Sequence, residues 1–290
     1  MKIYLDGRFV PESEAKLSVF DHGLLYGDGI FEGLRAYDGR VFRLREHLER
    51  LYDGAHAIFL KIPLSMKEME AVVLDSIRAN ELKDAYVRLV VTRGFGDLGL
   101  DMRKCPKPTI FCIAGKIQLY PPEVYEKGLK VLVSSMRRFG PDQLSPSIKS
   151  LNYLNNVLAR AEAVRNGCHE ALLLNKEGYV AECSADNIFY VRHGRLCTPP
   201  VSAGILQGVT RDAVLELAAK LPGLQTCEEL FSTAELYRAE EIFVTGTGAE
   251  IAGVVELDGR RIGSGKVGPV TRGLAEAFRA LAASTGTPVY

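Results

Sequence analysis

Lys149 sits where irregular, proline-bearing chain (Gly140-Pro141, Ser145-Pro146) meets a segment of helical periodicity. A lysine at such a junction can turn inward, lose its proton on desolvation and attack a carbonyl carbon to form a Schiff base. Tyr153 follows four residues on; at helical spacing the two share a face, and a phenol there can hydrogen-bond an anionic ring oxygen. Glu182 lies in Ala181-Glu-Cys-Ser-Ala-Asp-Asn187-Ile-Phe, between two strand-like runs, where a carboxylate can keep a ring nitrogen protonated. Gly208-Val209-Thr210 comes directly before a helical segment expected to begin near Arg211. Unpaired N–H groups at a helix start, with a threonine hydroxyl, suit a phosphate. Thr245-Gly-Thr247-Gly-Ala-Glu offers a second small-residue turn facing an anion, and Arg50, on the first long helix, can add positive charge. Each of these has a blander reading: a solvated lysine, a turn acid, a plain N-cap, an exposed helix arginine. Taken singly, the bland reading is the commoner one.

Taken together they describe the needs of pyridoxal phosphate. Its aldehyde requires a lysine, its phosphate an anion site, and its pyridine nitrogen a carboxylate, because the protonated ring is the electron sink.

The elements that would position these residues can be read from periodicity. Leu48, Leu51, Ala55 and Ile58 form one helical stripe; Met69, Val72, Val73 and Ile77 form another, entered through the capping pattern Ser65-x-x-Glu68. Leu154, Val157, Leu158 and Ala161 repeat the pattern, as do Val214, Leu217, Ala218 and Leu221, and Ser232-x-x-Glu235 marks a further helix start. Apolar β-rich runs cover 86–91, 109–114, 129–134, 170–174, 187–192 and 241–245. Asp6-Gly7, Asp38-Gly39 and Asp258-Gly259 predict tight hairpins, hence antiparallel pairing. The fold class is therefore mixed, α/β or α+β, rather than a regular parallel βαβ array. The clearest boundary is 116–128, which contains Pro121-Pro122.

Composition excludes several classes of function. The 290 residues carry 36 basic and 36 acidic side chains, so charge gives no reason to expect nucleic acid or an anionic membrane as partner. Apolar runs are far shorter than the roughly 18 residues of a membrane span, and the chain opens like a strand, without a signal-peptide stretch. The six cysteines include no C-x-x-C pair and are expected as reduced thiols of a cytoplasmic protein, with metal bound by none. Gly263-Ser-Gly265-Lys-Val-Gly268 matches G-x-G-x-x-G, but Pro269 follows at once and too little chain remains for a βαβ unit. It reads instead as a hairpin exit into a C-terminal helix.

In order and spacing, these segments resemble the fold-type IV pyridoxal-phosphate enzymes, and among them the branched-chain aminotransferases most closely. The matching pieces run from Tyr26-Gly-Asp-Gly-Ile-Phe31-Glu-Gly-Leu-Arg through Phe42-Arg-Leu-Arg-Glu-His-Leu-Glu-Arg50-Leu and Tyr86-Val-Arg88 to Lys149-Ser-Leu-Asn-Tyr153. They continue with Glu182, Asn187-Ile-Phe, Thr198-Pro-Pro, Gly204-Ile-Leu-Gln-Gly208-Val-Thr210-Arg-Asp, Gly246-Thr247-Gly-Ala-Glu-Ile and Gly268-Pro-Val-Thr. The resemblance implies a small N-terminal domain over 1–117, a linker over 118–129 and a larger cofactor-binding domain over 130–290. It implies Lys149 as Schiff-base lysine, Glu182 at the pyridine nitrogen and Tyr153 at the ring oxygen. Arg50, Val209, Thr210 and Thr247 would hold the phosphate, and Leu206 would pack on the ring. For the substrate it implies a pocket lined by Tyr26 and Phe31, with Tyr86 and the Thr247–Gly248 turn at the α-carboxylate. Arg88 would receive the second carboxylate of glutamate or 2-oxoglutarate. The implied activity moves the amino group of leucine, isoleucine or valine to 2-oxoglutarate by a ping-pong route, in a homodimer or larger homo-oligomer. D-amino-acid aminotransferases and aminodeoxychorismate lyases share the fold. The D-enzymes carry an arginine and a histidine after a Thr-Arg-Gly like Thr92-Arg93-Gly94; here those positions are Leu98 and Leu100.

Overall fold

The structure, a computed structural model, describes residues 1–117 and 120–290. The chain folds as two compact units. The first comprises Met1–Ile117, Ile148–Asn152 and Ala282–Tyr290; the second comprises Gln118–Ser147 and Tyr153–Leu281. The segment around Lys149 and the C-terminal tail thus belong with the first unit, not with a continuous domain over 130–290. Backbone pairing explains the difference. Phe31 N–H donates to the Lys149 carbonyl at 3.0 Å, Leu151 N–H donates to Gly29 at 2.9 Å, and Val289 is buried in the first core.

In the first unit, β1 (Lys2–Leu5) and β2 (Arg8–Pro11) form a hairpin, as do β3 (Gly29–Tyr37) and β4 (Arg40–Val41). Both turn on Asp-Gly pairs whose four residues have positive φ, the conformation a tight hairpin needs. With β5 (Ala85–Thr92), β6 (Thr109–Gly115) and the C-terminal strand Thr287–Pro288 they make a seven-stranded sheet. Its order is C-terminal strand–β4–β3–β5–β6–β1–β2, and the pairing is antiparallel. The helices are α1 (His22–Tyr26), α2 (Leu44–Ala57) and α3 (Met66–Ala79). The stripes Leu48, Leu51, Ala55 and Met69, Val73, Ile77 bury against Leu34, Val87, Leu89 and Val91. Ser65 and Glu68 close a reciprocal capping box at the start of α3.

The second unit begins with α4 (Pro122–Lys127), which occupies half of the stretch expected as linker; residues 118 and 119 of that stretch lie outside the described residues. Its strands are β7 (Leu129–Arg137), β8 (Glu170–Leu174), β9 (Val180–Cys183), β10 (Asn187–Arg192), β11 (Arg195–Thr198), β12 (Gln225–Glu228), β13 (Glu241–Gly246), β14 (Glu250–Leu257) and β15 (Arg260–Arg261). They run in the order β12–β11–β10–β13–β14–β7–β8–β9, with β15 beside β14. The β11/β12, β14/β7 and β7/β8 pairs are parallel; the others are antiparallel. The remaining helices are α5 (Leu154–Arg165), α6 (Val209–Ala218), α7 (Thr233–Tyr237) and α8 (Pro269–Ser284). The glycine-rich stretch before Pro269 is the hairpin exit read from its sequence.

Helix α5 inverts its expected face. Its apolar residues Leu154, Val157 and Leu158 are exposed, while Asn155, Asn156, Ala159 and Ala163 are buried. Small and amide side chains let the helix approach β7 and β8, and its larger aliphatic stripe is left outside. Among the described residues, no helix is long and apolar enough to cross a membrane.

Candidate active site

In the first unit, β3 alternates its side chains between the two faces of the sheet. Phe31 and Gly33 lie on one face, opposite Val90 and Arg88 of β5, with Arg35 opposite Tyr86. A Cβ at Gly33 would stand 2.4 Å from the Tyr86 hydroxyl, so glycine there makes the room Tyr86 occupies. Arg88 Nη2 donates to that hydroxyl at 2.8 Å. The Arg88 Cζ and the Lys149 Nζ each lie 4.7 Å from the centre of the Phe31 ring. Arg88 Nε is buried with no hydrogen-bond partner among the described residues, an unmet donor next to an aromatic wall. Tyr26 ends α1, its hydroxyl donating to the Leu98 carbonyl at 2.5 Å and its ring meeting His22 edge-on. The structure thus gathers Phe31, Tyr86, Arg88 and Lys149 of the expected set and holds Tyr26 on the neighbouring helix.

The opposite face of β3 carries a cluster that motif reasoning missed. Glu32 is fully buried and accepts from Arg50 Nε at 2.7 Å, Arg50 Nη2 at 2.9 Å and His47 Nδ1 at 2.8 Å. Burial alone would raise the Glu32 carboxyl, but the Arg50 guanidinium and His47 hold it well below the usual carboxylate range. Burial pushes the His47 imidazole down against the pull of Glu32, with the Arg50 and Lys149 cations adding to the downward shift. His47 is therefore neutral at pH 7 and donates its Nδ1 proton to Glu32. Arg50 is a braced cation, its fork set by Glu32. The only sequence signal was the repeated helical spacing of His47, Arg50 and Leu51 behind Phe31-Glu32.

In the second unit, Glu182 on β9 is almost fully buried. Its Oε1 accepts from Arg138 Nε at 2.7 Å, and its Oε2 accepts from Leu206 N–H at 3.1 Å and Asn187 Nδ2 at 3.2 Å. Arg138 Nη1 also donates to Asn156 Oδ1 at 3.0 Å, and Asn156 Nδ2 donates to the Ser184 carbonyl at 2.6 Å. Arg138 and Asn156 carried no spacing signal, since strand pairing and helix packing bring them to Glu182. Leu206 is tied in place by its own amide and by Asn187 Nδ2, which donates to its carbonyl at 2.9 Å.

Helix α6 begins at Val209, two residues before the expected start, with Gly208, which has no side chain to cap it, as N-cap. Val209 and Thr210 lie buried in that first turn. A Cβ on Gly208 would approach Asn187 Oδ1 to 2.0 Å, so only glycine lets the chain enter the helix here. Thr247 and Gly248 form the turn between β13 and β14, next to Thr245, whose buried hydroxyl has no partner among the described residues. Tyr153 departs from its expected geometry. It is the N-cap of α5, and residues 149–151 are hydrogen-bonded to β3 instead of coiling, so helical spacing does not relate Lys149 to Tyr153.

The donor sets suit a phosphorylated pyridine aldehyde. The first unit has an amine and a braced arginine; the second has a buried carboxylate, a helix start with glycine as N-cap and a threonine hydroxyl unmet among the described residues. With two α/β units, that chemistry defines a cofactor-dependent enzyme. The family model for amino-transferase class IV matches residues 29–257, and the chain belongs to that family. A Methanocaldococcus jannaschii protein, provisionally named a branched-chain-amino-acid aminotransferase, is 54% identical over 290 residues, covering 100% of this chain and 99% of that one. The crystal structure of the Escherichia coli branched-chain amino acid aminotransferase superposes with a TM-score of 0.96 at 35% identity, over 100% of this chain and 99% of that one. A T.th. branched-chain amino acid aminotransferase complexed with N-(5'-phosphopyridoxyl)-L-glutamate gives 0.91 at 36% identity, over 98% of this chain and 94% of that one.

Proposed function

We propose that this aminotransferase moves the amino group of leucine, isoleucine or valine to 2-oxoglutarate in two half-reactions on one pyridoxal phosphate. The relatives' names support the branched-chain substrates, and the phosphopyridoxyl-glutamate adduct held by one of them supports glutamate and 2-oxoglutarate as the second pair. When bound, the cofactor supplies a carbonyl that takes up the amino group and a protonated ring that withdraws electrons. Lys149 would hold it through Nζ and, as a free amine, would carry the proton taken from the substrate Cα. Glu182 would accept from the ring nitrogen, Tyr153 would donate to the ring oxygen, and Leu206 would pack on the ring. Arg50, Val209, Thr210 and Thr247 would hold the phosphate.

One observation carries the dual specificity: a buried, unmet Arg88 Nε stands beside the Phe31 ring and the Tyr86 hydroxyl. Aromatic walls, with Tyr26 among them, take an aliphatic side chain. Arg88 pairs with the second carboxylate when glutamate or 2-oxoglutarate enters. Tyr86 and the Thr247–Gly248 turn bind the α-carboxylate.

Two experiments test the reading. Borohydride reduction followed by peptide mapping is expected to fix the cofactor on Lys149, and Lys149→Ala to lower turnover by several orders of magnitude; label elsewhere, or near-normal turnover, overturns the assignment. A panel of L-leucine, L-valine, L-phenylalanine, D-alanine and aminodeoxychorismate is expected to give the highest kcat/KM on the branched L-substrates. A preference for D-alanine, or lyase product from aminodeoxychorismate, refutes it.

We also infer a homo-oligomer, supported by the exposed apolar stripe on α5 and by exposed Leu24, Leu25, Phe95, Leu98 and Leu100. Light scattering coupled to size exclusion tests it, with a monomer as the refuting result. The six free thiols support a cytoplasmic setting.

A further inference from the structure

The parallel β11/β12 pair brings together two cysteines that their spacing in sequence gave no reason to connect. Cys197 and Cys227 are direct cross-strand partners, so both side chains leave the sheet on the same face. Glu229 follows β12 immediately and remains tied to the neighbouring strand, its N–H donating to the Thr198 carbonyl at 3.2 Å. The two sulfurs and a Glu229 carboxylate oxygen all lie within 4.8 Å of one another. Cys197 is fully buried, and Cys227 and Glu229 are half-buried, so the donors sit in a recess on paired backbone.

A second observation shows that these donors converge on a cation. Arg195 Nη2 stands 2.9 Å from Cys227 Sγ and 2.9 Å from Glu229 Oε2, its positive charge placed between them. The Tyr190 hydroxyl donates to the other Glu229 oxygen at 3.0 Å, fixing the carboxylate's orientation. The Arg195 side chain is itself 45% exposed and can swing into solvent, vacating the position its guanidinium holds.

We propose that Cys197, Cys227 and Glu229 bind one thiophilic divalent cation, of which zinc is the probe. Two thiolates and one carboxylate are a donor set zinc accepts, at roughly 2.3 Å for sulfur and 2.0–2.2 Å for oxygen, with a fourth tetrahedral position left for water. Tetrahedral bonds of those lengths set donor atoms roughly 3.5–3.8 Å apart, within the 4.8 Å over which the three already cluster. None of these three residues is among those proposed to hold the cofactor. The site does flank Glu228, which pairs with Arg211 near the start of α6, so a bound ion would stiffen the stretch that holds that helix.

The test uses reduced holoenzyme, with zinc titrated by calorimetry and cadmium followed by its thiolate charge-transfer absorption. The expected result is one ion per chain with Kd below about 1 µM, and a thermal midpoint that rises with zinc. Cys227→Ser and Glu229→Gln are expected to weaken binding by at least about tenfold. Both positions are partly exposed, and retained transaminase activity reports that these variants fold. Arg195→Ala, which removes the competing cation, is expected to bind at least as tightly as the parent, and Cys168→Ser to bind as the parent does. Weaker binding than about 10 µM in the parent, a cadmium band that survives Cys227→Ser, or a Cys197–Cys227 disulfide in freshly purified protein overturns the proposal.

Discussion

Replacing Glu32 with glutamine tests whether the buried cluster behind β3 is what holds Arg50. The substitution keeps shape and volume but removes the charge that two Arg50 nitrogens and His47 share. Charge-assisted hydrogen bonds are worth about 1.5–3 kcal/mol each, and breaking a fully buried ion pair costs about 3–5 kcal/mol. The Arg50 side chain keeps 15% exposure, and the amide still accepts one bond. The lower end therefore applies: about 3 kcal/mol at neutral pH. The sign with pH follows from the depressed Glu32 carboxyl. A depressed acid contributes fully above its unfolded value and loses that contribution as pH falls toward its folded value. The carboxylate's share of the gap between parent and Glu32→Gln is thus flat from pH 7 to about 5 and narrows below the ordinary value of 4.5. One unit below that value about 1.4 kcal/mol of that share is gone. Glu32→Gln also removes the pull that raises His47, so the variant's imidazole is harder to protonate and the histidine's share of the gap widens as pH falls below its ordinary 6.5. Urea unfolding followed by circular dichroism measures the gap, since the chain has no tryptophan to report by fluorescence. The same variant is expected to release pyridoxal phosphate faster on dialysis. A gap below about 0.5 kcal/mol at pH 7 refutes the reasoning.

Arg88→Met is expected to raise KM for 2-oxoglutarate at least about tenfold, the equivalent of one lost charge-assisted bond, while leaving KM for leucine within a factor of about three; steady-state kinetics with each substrate varied checks this. Gly208→Ala places a methyl group 2.0 Å from Asn187 Oδ1, so either α6 or the Asn187 amide that bonds Glu182 and Leu206 must shift, and equilibrium dialysis is expected to show weaker cofactor retention. Arg138→Met strands the buried Glu182 carboxylate and is expected to cost about 3–5 kcal/mol of stability in urea unfolding. A neutral result there would mean that Asn187 and the Leu206 amide suffice to hold Glu182.

The sequence alone determined whatever depends on short spacing. Asp-Gly pairs set the hairpins, Ser-x-x-Glu set two helix starts, and the stripes of α2 and α3 set the face that packs on the first sheet. Those signals are local, because turn chemistry and helical period act within a few residues. The order of the motifs also singled out Lys149, Glu182 and the glycine before α6 as candidates, although nothing local distinguishes a catalytic lysine from a solvated one. Tertiary structure decided the rest. It gave residues 149–151 to β3, where backbone pairing replaced the helical turn that spacing suggested between Lys149 and Tyr153. It turned the aliphatic stripe of α5 outward, because periodicity reveals that a face exists but not which surface covers it. It set Arg50 and His47 on Glu32, Arg138 on Glu182, and Cys197 beside Cys227. Charge pairing and metal-ligand geometry are matters of distance in space, and strand order sets that distance where separation along the chain does not.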